Sequence, residues 1–186
     1  IIPAMLNSTV ALRALSGEND PQVVSGHQAM EDFACEMPDG RMLQPCVSPV
    51  WDTALAMKAL LDSGAAPDDS RLRHAADWLI ERQVLKTRGD WAVKRPNLRP
   101  GGWVFEYENE YYPDVDDTAV ICMVLDRVDT QQPERTQTAI DRGIEWILGM
   151  QSRDGGFGAF DVDNLREFWN CIPFADMKAM LDRPVE

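Results

Sequence analysis

Histidine is nearly missing from this sequence. His27 and His74 are the only two, and neither has a second ligand at metal-binding spacing, which argues against a zinc centre. Cysteine is sparse as well. Cys35, Cys46, Cys122 and Cys171 are scattered, and read as small buried thiols of a reducing compartment rather than as a disulfide or metal framework. No apolar run approaches the roughly 20 residues that span a bilayer, so any meeting with a membrane would need an apolar surface patch. Positive charge is short: 18 Lys and Arg against 31 Asp and Glu leave a net charge of −13, which repels nucleic acid and anionic headgroups. Ile1 is not an initiator methionine and opens no signal peptide, and Arg183-Pro184-Val185-Glu186 follows closely on a short helical pattern. Both ends read as cuts through a longer protein.

What is present is ordinary globular material, 45% hydrophobic and 26% charged over 186 residues, enough for a real core. It is also repetitive. Asp52-Thr53-Ala54-Leu55 returns 65 residues later as Asp117-Thr118-Ala119-Val120. Ala76-Asp77-Trp78-Leu79-Ile80 with Gln83 returns 68 residues later as Ile144-Glu145-Trp146-Ile147-Leu148 with Gln151. Each glutamine precedes a Gly-x-aromatic turn, Gly89-Asp90-Trp91 or Gly155-Gly156-Phe157. The units run roughly over 52–91 and 117–157, with a looser one over 5–38.

Two kinds of helix alternate in these units. Residues 53–61 and 118–125 are apolar nearly all round, the pattern of helices buried on every side. Residues 71–83 place Leu72, Ala75, Ala76, Leu79 and Ile80 on one face. Residues 134–151 do the same with Ala139, Ile140, Gly143, Ile144, Ile147 and Leu148. Enclosed helices alternating with half-buried ones predict an all-α fold, an α/α toroid of helix hairpins, of which residues 1–186 form a single partial barrel domain. Breakers at Pro96, Pro100, Gly101 and Gly102 predict a loop, and Trp103 to Tyr112 a short hairpin or extended arm.

The glutamine turns read first as structure, the amide closing free backbone groups of a neighbouring helix. Arg142-Gly143-x-x-Trp146-Ile147-x-x-x-Gln151-x-x-x-Gly155-x-Phe157 resembles the QW repeat of triterpene cyclases, with Phe157 where that repeat usually has Trp. Asp114-Val115-Asp116-Asp117-Thr118-Ala119 resembles the DxDD motif of cyclases that protonate a carbon–carbon double bond. Its plain alternative is a helix cap, Asp117 before the Thr118 helix, with solvated neighbours. Tyr111 to Ala119 match squalene–hopene cyclases throughout, as do Ser48 to Thr53, Gly89 to Asn97 and Gly158 to Asn164, in the same order.

The resemblance to that family implies an (α/α)6 barrel that would cyclise squalene to hopene, with hopanol as a side product. It also implies roles for particular residues. Asp116 would donate the proton, with Asp114 and Asp117 sharing hydrogen bonds and charge around it. Trp51, Phe105 and Phe160, with Tyr112 beside them, would line a dry cavity whose aromatic faces steady the cation. Phe174, within Asn170 to Asp176, would gate the substrate channel. A relay histidine would lie just past Glu186, so His27 and His74 have no part. No cofactor or metal is expected. The expected partners are squalene and, through a monotopic apolar patch, the cytoplasmic side of a bacterial inner membrane; two copies could pair. A sesquarterpene cyclase, a class II diterpene cyclase acting on a diphosphate, and a non-enzymatic helical-repeat scaffold remain as alternatives.

Overall fold

A computed structural model describes residues 2–44, 47–107 and 109–164. They divide into two compact units, Ile1–Val47 and Ser48–Glu186.

The first unit opens with helices α1 (Ile2–Ser16) and α2 (Pro21–Glu31). Asp20 caps α2, its carboxylate accepting from the Gln22 amide, and Pro21 starts the helix where no amide donor is needed. The unit then departs from the helical expectation. Strands β1 (Ala34–Met37) and β2 (Gly40–Leu43) form an antiparallel hairpin in the register Ala34 to Leu43 and Met37 to Gly40. Pro38-Asp39 make the turn. The looser repeat unit read over 5–38 therefore ends in a strand.

The second unit carries α3 (Pro49–Asp62), α4 (Ser70–Glu81), the single turn α5 (Trp91–Lys94), α6 (Val115–Leu125) and α7 (Pro133–Gly149). Asp69 caps α4 through the Arg71 amide, and prolines open α3 and α7. A core of Ala54, Met57, Leu72, Leu79, Ile121 and Leu125 binds α3, α4, α6 and α7. The chain is thus mostly helical, as expected. No helix of the described residues is long and apolar enough to cross a membrane.

Burial corrects two details. Helices α3 and α6 were expected to be enclosed on every side, but Leu55, Leu60 and Met123 are exposed. The stripe of α7 is Thr136, Ala139, Ile140, Gly143 and Trp146, while Ile144 and Leu148, expected inward, face solvent. Close approach of α6 and α7 sets that stripe. A Cβ on Gly143 would stand 2.6 Å from Cys122 Sγ and 2.9 Å from the Trp103 ring, so the crossing point admits only glycine's missing side chain.

The two glutamines behave differently. Gln83 Nε2 donates to the Gly101 carbonyl at 2.7 Å and to the Ala139 carbonyl of α7 at 2.9 Å, joining two repeats as expected. Gln151 Nε2 donates to the Gly155 carbonyl of its own turn at 2.9 Å. Trp91 and Trp146, one from each repeat, meet edge to face at 6.0 Å and form a second core with Val115, Met150 and Val162. This second core lies directly behind the first residue of α6.

Candidate active site

The acidic motif spans the start of α6, and Asp114 rather than Asp117 is its cap. Asp114 is extended, with φ −106° and ψ 135°, because its amide bonds the Trp103 carbonyl at 2.8 Å across an isolated antiparallel bridge. That conformation turns its carboxylate back onto the helix. Oδ1 accepts from the Asp116 amide at 2.8 Å and the Asp117 amide at 3.4 Å. Such a cap is worth about 1 kcal/mol. The helix therefore begins at Val115, one turn earlier than the plain alternative placed it.

The three carboxyl groups have unlike surroundings. Asp117 is 2% exposed, packed on the core side of α6, and its Oδ1 has no hydrogen-bond partner among the described residues. Burial, reinforced by the charges of Asp114 and Asp116, pushes its pKa up to about 8. Asp114 is 8% exposed; burial raises it to about 6 against the lowering effect of the two amides. Asp116 points outward from the first turn and is exposed. At neutral pH the buried pair Asp114 and Asp117 thus retains a proton, the two carboxyls titrating together. The hydrogen bonds of Asp114 run to backbone amides rather than to a neighbouring carboxyl.

A cavity of about 410 Å³ adjoins the motif, lined by Phe105, Glu106, Asn109, Tyr112, Asp114 and Phe160. Phe105 and Tyr112 come from the aromatic arm. The arm is a loop closed at its base by the Trp103–Asp114 bridge, not a hairpin. Phe160 comes from the turn after α7, held to α6 by the Val115 amide, which donates to the Ala159 carbonyl at 2.9 Å. Of the anticipated cavity aromatics, three therefore share one wall with Asp114. Trp51, half-buried on α3, is not among the lining residues of this cavity as the described residues form it. Phe174 lies outside the described residues, as do Cys46 and Cys171.

Three contributors had no assigned role. Glu106 and Asn109 line the cavity from the arm; only the alternation of charged and aromatic residues there hinted at them. Thr118 Oγ1 donates to the Asp114 carbonyl at 2.6 Å and accepts from the Trp103 amide at 2.9 Å, tying motif, arm and helix together. Its position four residues after Asp114 was the available signal.

Comparison with known proteins bears on what this arrangement serves. The family model of the squalene–hopene cyclase C-terminal domain matches residues 47–186. The chain is 48% identical, over its whole length, to a squalene–hopene cyclase of Bradyrhizobium diazoefficiens, of which it covers 28%. It is 44% identical over its whole length to one of Alicyclobacillus acidocaldarius, covering 30%. It is 46% identical over 99% of its length to one of the yeast Schizosaccharomyces japonicus, covering 29%. The chain thus spans less than a third of the length of these relatives, which come from bacteria and a fungus alike.

Proposed function

From the premise that this chain belongs to the squalene–hopene cyclase family, we propose that the complete protein cyclises squalene to hopene, with hopanol as a side product. The observation that carries the reading is the juxtaposition of a proton-retaining aspartate cluster with the cavity of Phe105, Tyr112 and Phe160.

The chemistry asks for that pairing. An unactivated alkene is a very weak base, so its acid must be neutral before it acts. Crowded, poorly solvated carboxyls meet this requirement, because they cannot all ionise. Asp114 and Asp117 are such carboxyls; Asp116, the exposed member of the motif, is the proposed donor by its place in the DxDD pattern, with the other two adjusting its charge and orientation. The cation formed next would be quenched by water or a free lone pair. Aromatic faces offer electron density without a nucleophile, at roughly 2 kcal/mol or more each when desolvated. Phe105, Tyr112 and Phe160 are proposed for that duty, with Trp51 contributing in the complete protein and Phe174 gating entry.

Squalene would enter from lipid through an apolar patch, the protein lying peripherally on the cytoplasmic side of a bacterial inner membrane and pairing as a dimer. The test is incubation of the full-length gene product with squalene and analysis of the neutral lipids. Pentacyclic hopene and hopanol are expected. A product formed only from a polyprenyl diphosphate would overturn the reading in favour of a diterpene cyclase, and no turnover of any polyprene would leave the helical scaffold.

A further inference from the structure

The arm that walls the cavity, with the Gly101-Gly102 pair before it, is fastened along its length to the end of α4 and the segment after it. Gln83 and Val84 bond the Gly101 and Gly102 carbonyls. Trp103 Nε1 donates to the Leu79 carbonyl at 2.6 Å. Thr87 Oγ1 bonds Glu110, and the Tyr112 hydroxyl donates to Asp90 Oδ2 at 3.1 Å. A Cβ on Gly89 would lie 1.6 Å from the Tyr111 carbonyl oxygen, so the two backbones touch there.

The middle of the arm is gripped differently. Tyr107 and Trp78 stand edge to face, centroids 6.2 Å apart and planes at 89°, and the Arg82 guanidinium carbon lies 5.2 Å from the Trp78 centroid and 5.3 Å from that of Tyr107. A cation within about 6 Å of a ring face is drawn to it. Among the described residues the Arg82 guanidinium makes no ion pair, so its charge is directed to the two rings. Tyr107 directly follows Phe105 and Glu106, which face the cavity.

We propose that Arg82 is a positioning residue for the acid-site wall: held by Trp78 and Tyr107, it fixes the stretch of arm that presents Phe105 and Glu106 to the cavity. Its effect on the reaction rests on the squalene-cyclising reading above. A looser wall admits water and shifts the ring that steadies the cation, so truncated products increase while substrate affinity changes little.

The test uses full-length protein. Amide exchange over residues 104–109 should quicken about two- to fivefold in Arg82→Gln, the population change that one exposed cation–π contact supports. Arg82→Lys, which keeps the charge, should recover part of the protection. The fraction of prematurely terminated products should rise in Arg82→Gln with kcat lowered and KM nearly unchanged. Tyr107→Phe, which keeps the ring, should resemble the parent protein, and Tyr107→Leu should resemble Arg82→Gln; this pair decides the matter should Arg82→Gln fail to fold. Unchanged arm exchange, or quickened exchange with a parental product pattern, overturns the proposal. A parent protein inert toward squalene overturns the substrate reading instead, and the exchange comparison alone then decides whether Arg82 braces the arm.

Discussion

Trp103 and Asp114 face each other across one antiparallel bridge, the Asp114 amide donating to the Trp103 carbonyl at 2.8 Å. Trp103 is fully buried against α4, so the cap of α6 is tied to a fixed point in the core. The same bridge brings together the two ends of the aromatic arm. The first carboxylate of the motif is therefore placed by the core itself.

Removing the proposed donor should abolish the reaction. In the full-length protein Asp116→Asn preserves size and removes the acidic proton, and squalene cyclisation should fall by at least about a thousandfold, as when a general acid has no substitute. With 2,3-oxidosqualene, whose epoxide oxygen is more basic than an alkene, Asp114→Asn and Asp117→Asn should regain part of their activity and Asp116→Asn the least. Near-normal squalene turnover by Asp116→Asn would place the proton source elsewhere.

The buried carboxyls make stability depend on pH in a defined direction. Burial raises Asp117 to about 8 and Asp114 to about 6. The unfolded chain releases these protons near pH 4, so between about 4 and 8 the folded state binds more of them and loses stability as pH rises. Below that window the contribution is complete. Asp117→Asn should flatten the decline of the melting temperature between pH 5 and 8, measured in parallel on parent and variant at about those values. An identical slope in both would show that Asp117 does not retain its proton.

The two turn glutamines should not be equivalent. The Gln83 side chain holds carbonyls of both the Gly101 loop and α7, whereas among the described residues the Gln151 side chain bonds the Gly155 carbonyl of its own turn. Gln83→Ala removes two hydrogen bonds and leaves the Gly101 carbonyl without its donor, which should cost about 1–3 kcal/mol; Gln151→Ala should cost about 1 kcal/mol or less. Denaturant titration of the full-length variants measures the difference.

Gly89→Ala should be more damaging than its turn position implies. The added methyl meets the backbone oxygen of Tyr111, which cannot swing aside as a side chain could. A loss of about 1–3 kcal/mol is expected, with the arm loosened first. Differential scanning calorimetry with amide exchange over the arm would measure both.

Much of this was legible in the chain. The stripe of α4 is plain because Leu72, Ala76, Leu79 and Ile80 are apolar and its outer face is charged. The stripe of α7 lies one flank away from the apolar pattern: it includes Thr136, which hydrophobicity does not mark, and Trp146 beside the anticipated Gly143, while apolar Ile144 and Leu148 look outward. The β1–β2 hairpin escaped because four-residue strands with mostly exposed side chains leave almost no alternation to read. The carboxylate cluster was plain, but its cap was not: three aspartates compete for that position, and the bridge to Trp103 decides among them. The fastening of the arm was invisible for a similar reason. It joins residues 18 to 29 positions apart through single contacts that carry no repeating pattern.

The start of α6 at Val115 has one further consequence. Asp116 and Asp117 occupy the first turn of a helix, where aligned peptide dipoles sum to roughly half a positive charge. At Asp117 burial favours the neutral acid before a proton leaves, and the dipole favours the anion left behind. The two influences come from different parts of the molecule, side-chain packing for one and peptide backbone for the other. Side-chain exchange around the cluster can alter how readily it is loaded, but the field that eases discharge persists as long as the helix does.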